Sequence, residues 1–501
     1  MNFYFSAAEI LDRLDNKKGS IKGLISTVAE KDRKRTSALV IQTLKYKPVL
    51  VDVIEQAKLL KEERKKLSSL NLALVLVHDV LFSNGIQAGD GPIKQSILRH
   101  KTRLHSELQK LKIKRGVKSN EELAQTGDIR AALIPRYVRV NTTLWSIDDA
   151  VQYFTSNGFI LKDSYDSLQT SKQEFSKDEH IPALLLFHPQ VSFQDEEAYR
   201  NGKVILQDKA SCFPAVVLDP PASPDAVVID ATSAPGNKTS HLSTLMCNLG
   251  TLFAFERDRK RFSTLQTMLA KAKCKNVEPV NADFLTVDPS DPKYSQVTHI
   301  LLDPSCSGSG IVNRLDYLVE SEQETESLQE DRLNKLAGFQ LMMIKHAMKF
   351  PSVKRIVYST CSIYAIEDEH VVRSALKSDE ALSANFELAP PNEVLPQWKR
   401  RGYPNEMDDP SHAISMVRCL PGEDATNGFF VSCFVRRTSD GDRVNDHRKR
   451  KRMMEDEDED KEKDDEEVDH GAEPVATEPR KKKKKKIKKK KNVKIYESHR
   501  C

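Results

Sequence analysis

The chain has 501 residues, 30% of them charged and 39% hydrophobic, a length that suggests about three domains. Residues 441–501 carry 21 Lys+Arg and 17 Asp+Glu, which leaves 57 and 56 for residues 1–440, a net charge of only +1 for the body of the chain. The longest apolar stretches, such as Leu72 to Val77, are too short to span a membrane, the N-terminus lacks a secretory signal, and the scattered cysteines form no zinc-binding pair. We therefore expect a soluble intracellular protein that binds no metal and contacts any nucleic acid through local patches or its tail.

The first region, residues 1–125, has the pattern of a helical domain. Ser6 and Glu9 have the spacing of a capping box, which predicts that a helix begins there. Residues 72–82 are apolar on every side, as in a helix buried within a bundle. Residues 94–118 contain nine Lys/Arg and one acid, with apolar residues at helical spacing. This segment is interpreted either as the solvated face of a packed helix or as a contact to an RNA backbone.

The second region, residues 130–205, is predicted to be a small α+β domain that binds RNA. Strand-like runs over residues 137–141 and 183–187 lie on either side of an amphipathic helix over residues 146–156. A strand, a helix and a second strand within so short a span indicate a compact platform.

The third region, residues 206–437, alternates apolar strands with helices. The predicted strands cover residues 226–230, 251–256, 277–280, 298–303, 353–358 and 428–435, and the predicted helices include 239–249 and 259–273. Uninterrupted apolar strands alternating with helices predict a doubly wound α/β fold of the Rossmann-like type, with both faces of the sheet covered. Ligands in such folds bind beyond the carboxyl ends of the strands, where several of these strands end in an acid.

The last region, residues 438–501, is of low complexity and is predicted to be disordered. Residues 455–469 are almost wholly acidic, and residues 481–491 are lysine interrupted only by Ile487. Because like charges repel one another, such blocks cannot bury a core. Lysine-rich runs serve as nuclear or nucleolar signals or as RNA tethers, so we expect the protein in the nucleus and nucleolus.

The turn after the first strand of the third region has the features of a cofactor loop. It reads Asp230-Ala-Thr-Ser-Ala-Pro-Gly236-Asn-Lys238, with neither the G-x-G-x-x-G pattern nor the Walker pattern. Small residues let a ligand approach the backbone, and the start of the following helix offers free N–H groups. A single glycine suits a ligand without a pyrophosphate, and S-adenosyl-L-methionine fits, with its carboxylate on the loop amides.

Acidic residues at the next strand ends support this interpretation of the loop. The ribose hydroxyls of the ligand need an acid at the end of the second strand, where Glu256 lies, with Asp258 as the alternative. Taken alone, the loop is equally well interpreted as a simple tight turn. That alternative weakens because Asp283 and Asp303 follow the third and fourth strands.

Two cysteines also follow separate strands, in Asp303-Pro-Ser-Cys306 and Tyr358-Ser-Thr-Cys361. A lone cysteine is usually a small buried hydrophobe, but here two strand ends bring one each to the same edge of the sheet. Cytosine C5 is a poor nucleophile, and attack of a thiolate on C6 turns the C5=C6 bond into an enamine that accepts a methyl group. The C5 proton must then leave and the thiol be expelled, which requires a second group. Asp303 lies where a carboxylic acid could stabilise charge near N3.

These motifs resemble the Nol/Nop/Sun family of RNA cytosine-C5 methyltransferases. Gln207-Asp-Lys-Ala-Ser211 and Arg139-Val-Asn-Thr142 match that family as well, so the resemblance covers about residues 130–436. Within the family the chain is most similar to the member that acts on large-subunit ribosomal RNA. The resemblance implies a class I methyltransferase domain that uses S-adenosyl-L-methionine and has RNA as its partner.

The resemblance also implies roles for individual residues. By this resemblance, Cys361 occupies the position of the family's nucleophile. Cys306 occupies that of the group that assists adduct breakdown and product release, and Asp303 that of the residue that contacts the target base. The positions that match the cofactor site are Thr232, Ser233, Ala234, Pro235, Gly236, Asn237, Lys238, Glu256, Arg261, Asp283 and Asp303. The chain departs from the usual family pattern at Thr232, Asn237, Glu256, Asp368 and Asn427. These changes are expected to affect binding affinity more than the chemical steps, because both cysteines and Asp303 are intact.

Three other functions were weighed against a ribosomal RNA methyltransferase. Transfer RNA is the second candidate substrate, and no motif excludes it. A non-catalytic ribosome-assembly scaffold would have no need for both cysteines. An NAD-linked oxidoreductase conflicts with the missing glycine-rich fingerprint.

Overall fold

The computed structural model describes residues 2–437, apart from residues 68, 167–170, 314, 316–317 and 320–325. The tail predicted to be disordered, residues 438–501, lies outside the described residues. Within the part of the chain that is described, no helix combines the length and the apolar character needed to cross a bilayer.

The N-terminal region is helical, as predicted. Its helices are α1 (Asn2–Asp15), α2 (Ile21–Ser26), α3 (Glu30–Lys45), α4 (Lys47–Gln56), α5 (Leu59–Glu62), α6 (Leu70–Phe82), α7 (Pro92–Leu98) and α8 (Lys101–Arg115). Helix α6 is the buried helix that its apolar sequence predicts, and Ser69 caps it by accepting the N–H of Leu72 at 3.2 Å. The capping box predicted at Ser6 is wrong. Burial of Tyr4 and its neighbours favours a helix that begins four residues earlier, so Ser6 lies inside α1.

The second region is a sheet covered by a helix. Its elements are β1 (Arg136–Val140), α9 (Ile147–Ser156), β2 (Ile160–Lys162), β3 (Glu174–Lys177), β4 (Leu184–Phe187), α10 (Glu197–Arg200) and β5 (Val204–Leu206). The strands follow the order β2-β3-β4-β1-β5. Ser146 and Asp149 form a reciprocal capping box that fixes the start of α9. The sequence predicted β1, α9 and β4, whereas the short strands β2, β3 and β5 were missed.

The third region confirms the predicted α/β fold. Its elements are α11 (Lys209–Leu218), β6 (Val227–Asp230), α12 (Asn237–Leu245), β7 (Thr251–Phe255), α13 (Arg259–Ala272), β8 (Val277–Val280), β9 (His299–Leu302), α14 (Glu326–Met348), β10 (Arg355–Thr360), α15 (Glu369–Leu376), α16 (Asp379–Ser383), β11 (Phe386–Leu388), β12 (Val417–Cys419) and β13 (Phe429–Arg436). The strand order is β11-β13-β10-β9-β6-β7-β8, with β12 beside β13. Strands β6 to β10 are parallel and β13 is antiparallel to β10.

The strand order places the functional loops at one edge of this sheet. The chain runs outward from β6 to β7 and β8, and then returns to the other side of β6 for β9 and β10. The point where the order reverses, between β6 and β9, is where open α/β sheets form a crevice at the carboxyl ends of their strands. The loops that follow β6 to β10 therefore converge there.

Two contacts join this sheet to the preceding regions. Arg139 of β1 is fully buried, and it donates hydrogen bonds to Gln207 Oε1 and to Ser240 Oγ of α12, both at 2.8 Å. Leu318, in the segment between β9 and α14, is buried in the core of the N-terminal helices. Arg139 thus links the second region to the third, and Leu318 links the third region to the first.

Candidate active site

A cleft of about 290 Å³ lies at the carboxyl ends of strands β6 to β10. Its lining combines the loops after all five strands, as the acids at the strand ends predict. The predicted site residues that line it are Thr232, Glu256, Arg261, Asp283, Asp303, Cys306 and Cys361. The structure therefore brings both cysteines and the acids after β7, β8 and β9 into one cavity.

The two cysteines are in direct contact. Sγ of Cys306 lies 3.1 Å from Sγ of Cys361, although 55 residues separate them in the chain. Both are half-buried, and neither forms a disulfide bond. The hydrogen bond to Cys361 and burial raise the pKa of the Cys306 thiol far above its ordinary value. Cys306 is therefore held as a neutral thiol beside the sulfur of Cys361.

Two glycines allow the cysteine loops to meet. Gly310 donates its N–H to the carbonyl of Cys361 at 2.9 Å and accepts the N–H of Gly428 at 2.7 Å. A Cβ atom added to Gly310 would lie 2.3 Å from the carbonyl oxygen of Gly428, closer than any side chain permits. The absence of side chains at both positions lets the backbone of the Cys306 loop bond to Cys361, just after β10, and to Gly428, just before β13.

Asp303 is the acid nearest to the cysteines in the chain, and a half-buried lysine neutralises it. Its carboxylate lies 2.8 Å from Nζ of Lys238 and accepts the hydroxyl of Ser359 at 2.7 Å. Burial opposes the charge of Lys238, but the adjacent Asp303 carboxylate holds the pKa of this lysine above its ordinary value. Lys238 and Ser359 thus fix the carboxylate of Asp303 at the wall of the cleft.

The opposite side of the cleft carries two further acids. Glu256 accepts the N–H of Asp258 at 2.8 Å and pairs with Arg261 at 3.3 Å, which also donates to the carbonyl of Ala234 at 2.7 Å. Asp283 pairs with Arg257 at 3.3 Å. Apolar side chains also line the cleft, and they are Phe255, Phe284, Phe339 and Met343. Acids beside aromatic rings suit a ligand that carries hydroxyls, a positive charge and a flat ring.

The predicted cofactor loop contributes less to the lining of the cleft. Ser233, Ala234, Pro235, Gly236, Asn237 and Lys238 lie outside the residues that line it. Ser233 uses both its N–H and its hydroxyl to hold the carbonyl of Phe255, at 2.9 and 2.8 Å. Gly236, at φ +110°, precedes α12, and a Cβ atom there would press on Met268 at 3.1 Å. These residues shape the loop, and their contact with a cofactor stays a prediction.

Several buried polar residues near the cysteines were missed by the sequence analysis. Gln340 of α14 and Glu367 hold the backbone around Cys306. Arg418 of β12 donates to the carbonyl of Ile363, two residues after Cys361, at 3.1 Å. These residues are distant in the chain from the motifs that they support, so no local pattern points to them.

The basic segment over residues 94–118 is less available to RNA than its composition indicates. It folds as α7 and α8, and five of its nine basic residues pair with acids within 3.0 Å: Lys94 with Asp90, Arg99 with Glu63, Arg103 with Glu62, Lys110 with Glu107, and Arg115 with Asp52. This pairing favours the solvated face over the RNA contact. Among the described residues, no group of three or more His, Cys, Asp or Glu side chains is arranged to hold a metal ion.

Comparisons with known families agree with this architecture. The family described as 16S rRNA methyltransferase RsmB/F matches residues 215–435. The N-terminal domain and the ferredoxin-like domain of NOL1/NOP2/Sun domain family member 5 match residues 34–124 and 134–207. The structure of PH0851 shares the fold, with a TM-score of 0.55 and 20% identity over 81% of this chain and 91% of that one.

The fold and the cleft thus define a methyltransferase of the class that uses S-adenosyl-L-methionine. The 25S rRNA (cytosine-C(5))-methyltransferase rcm1 of Schizosaccharomyces pombe is 45% identical, over 86% of this chain and 91% of that protein. The 28S rRNA (cytosine-C(5))-methyltransferase of Mus musculus is 42% identical, over 87% and 91% respectively. The chain belongs to the NOL1/NOP2/Sun family of RNA cytosine-C5 methyltransferases, as its motifs predict.

Proposed function

We propose that this protein forms 5-methylcytosine in large-subunit ribosomal RNA through a covalent cysteine adduct. The observation that carries the proposal is the contact between Sγ of Cys306 and Sγ of Cys361 at 3.1 Å, in the cleft that Asp303 also lines. A scaffold protein gains nothing from two cysteine thiols held together in an open cleft. The relatives of this chain in yeast and mouse carry the names of large-subunit rRNA methyltransferases. These names support ribosomal RNA over transfer RNA as the substrate.

Each residue of the cleft has a chemical task in this mechanism. The Cys361 thiolate forms a bond to C6 of the cytosine, and the ion pair of Asp303 and Lys238 gives a proton to N3, which neutralises the negative charge that develops there. S-adenosyl-L-methionine, when bound, supplies the methyl group, and the acids and aromatic rings of the cleft suit it. Water then takes up the C5 proton, the bond between C6 and Sγ of Cys361 breaks with its electron pair staying on that sulfur, N3 returns its proton to Asp303, and the ring regains its C5=C6 bond. Cys306 assists this last step from beside Cys361.

Bisulfite sequencing of total RNA from cells with and without this protein tests the proposal. We expect one cytosine of large-subunit rRNA to lose its methyl group and to regain it when the wild-type chain is restored. Cys361→Ala should not restore it, because the nucleophile is missing, and its affinity for S-adenosyl-L-methionine should stay within a few-fold. Methylation lost from transfer RNA instead, or restored by Cys361→Ala, would contradict the proposal.

We further infer that the protein acts in the nucleolus during ribosome biogenesis. The inference rests on the substrate proposed above and on the lysine run over residues 481–491. Deletion of residues 441–501 should disperse the protein from the nucleolus and weaken RNA binding mainly at low salt. Each lost phosphate contact should lower the slope of log affinity against log salt by roughly 0.7–0.9. An unchanged slope and an unchanged nucleolar signal would contradict both roles of the tail.

A further inference from the structure

The peptide backbone on both sides of Cys306 is held by side chains from other parts of the fold. Gln340 of α14 donates from Nε2 to the carbonyl of Ser305 at 3.1 Å. Glu367 accepts the N–H of Ser307 on Oε1 at 2.9 Å. The residues before and after Cys306 are thereby fixed, and we call Gln340 and Glu367 the Cys306 clamp.

The two members of the Cys306 clamp are themselves joined and buried. Nε2 of Gln340 donates to Oε1 of Glu367 at 3.0 Å. The hydroxyl of Tyr358 lies 3.0 Å from Oε1 of Gln340 and 2.5 Å from the carbonyl oxygen of Glu367. All three side chains are fully buried. The clamp is therefore anchored on β10, the strand that also delivers Cys361.

Burial of this clamp is costly for the fold. Within the described part of the chain, Oε2 of Glu367 is buried and has no hydrogen-bond partner. A buried polar atom without a partner destabilises the folded state, and more so when it is charged. Apolar side chains of similar volume would fill the same space without that cost. Packing alone therefore does not explain why polar side chains occupy these positions. Their hydrogen bonds to the backbone beside Cys306 do.

Cys306 needs such support more than Cys361 does. Cys361 directly follows β10, so the strand itself sets its position. Cys306 lies four residues beyond the end of β9, so that strand does not fix its position directly. The contacts of Asp303 and Gly310 hold the two ends of this loop, and the clamp holds the peptides directly beside Cys306.

We propose that Gln340 and Glu367 are positioning residues that hold Sγ of Cys306 against Sγ of Cys361 for the release step. The proposal rests on the covalent mechanism proposed above. Neither residue touches the reacting base, and both act through the backbone of residues 305–307. Loosening the clamp should therefore slow release of the methylated RNA and leave the attack by Cys361 largely unchanged.

The test compares the rate of adduct formation with the rate of release, using an rRNA fragment and S-adenosyl-L-methionine. Gln340→Met keeps the volume and removes the hydrogen bonds. A misplacement of about 1 Å can cost about 10²-fold in rate, so release should slow by roughly 10- to 10²-fold and the adduct should accumulate with Cys306 intact. Gln340→Asn, which shortens the amide, should act in the same direction and serves as the second variant if Gln340→Met fails to fold.

Two controls separate positioning from general damage. Glu367→Gln keeps an oxygen acceptor for the N–H of Ser307 and should release RNA nearly as fast as the wild type. Asn334→Leu changes an exposed amide on the same helix α14 and should alter neither rate. A folded Gln340→Met variant that releases RNA at the wild-type rate would overturn the role of the clamp. Equal slowing of adduct formation and of release would overturn it as well. A wild-type chain that forms neither adduct nor 5-methylcytosine would overturn the proposed function itself.

Discussion

The loops that carry Cys306 and Cys361 end at the same point but are supported differently. Cys361 follows a central buried strand directly, and its loop is held by a fully buried ion cluster. In that cluster Arg418 pairs with Asp368 at 3.0 Å and donates to Glu369, while Thr360 donates to Asp368 at 2.6 Å. The attacking thiol is thus positioned by strand β10 and by a buried ion cluster, both of which also stabilise the fold.

Cys306 depends instead on two side chains that clamp its neighbouring peptides. Damage to the support of Cys361 should therefore destabilise the fold, whereas damage to the support of Cys306 should change one chemical step. The difference shows that two groups 3.1 Å apart can be positioned by different side chains, although both supports are anchored on β10 and the residues that follow it. It also makes the two steps separable by mutation.

The largest effect is expected when Cys306 itself is removed. Cys306→Ala leaves Cys361 free to attack C6 and removes the group that assists release, a loss of about 10²- to 10⁴-fold for a proton-transfer catalyst. A covalent protein–RNA complex should accumulate as a band that survives SDS and disappears with RNase. A band that forms with Cys361→Ala and not with Cys306→Ala would reverse the two roles.

A large loss of stability is expected for Arg418→Met. Removing one partner of a buried ion pair costs about 3–5 kcal/mol, because the carboxylates of Asp368 and Glu369 are left without compensation. Unfolding in urea measures this change in the free energy of unfolding. Arg437→Met, which breaks an exposed ion pair with Glu387, is the matched control and should cost about 1 kcal/mol or less. Equal losses for the two variants would contradict the account of the Cys361 loop.

A smaller, pH-dependent effect is expected at Asp230, the buried acid at the end of β6. Burial raises the pKa of Asp230 from 3.8 to about 6. Because the folded state binds this proton more tightly, the stabilisation is present below pH 3.8 and is lost as the pH rises through about 6. Asp230→Asn does not titrate, so its stability relative to the wild type should increase by up to about 3 kcal/mol between pH 4 and pH 7. A difference that is constant over this range would contradict the burial of a titrating carboxyl group.

The sequence predicted the sheet of the third region well because its signals are local. Strand β8 coincides with the predicted residues 277–280, and the acids after β7, β8 and β9 line the cleft as expected. The contact between Cys306 and Cys361 also followed from two motifs at neighbouring strand ends. Parallel strands end at one edge of a sheet, so short motifs were enough to bring these groups together.

Other features depend on contacts between distant residues and could not be predicted. Gln340 lies 35 residues from Ser305, and Glu367 lies 60 residues from Ser307, so neither has a sequence pattern that links it to Cys306. The sequence could not decide between a solvated face and an RNA contact for residues 94–118, because most of the acids that pair with its basic residues lie elsewhere in the chain. Strand β2 was missed because it is only three residues long and its side chains are exposed.

Mass spectrometry of the complex trapped by Cys306→Ala tests the central claim most directly. After digestion with protease and nuclease, one peptide should carry the mass of the bound cytosine nucleotide. We expect that peptide to contain Cys361, because this thiol follows β10 and forms the bond to C6. A nucleotide attached to a peptide that does not contain Cys361 would contradict the mechanism.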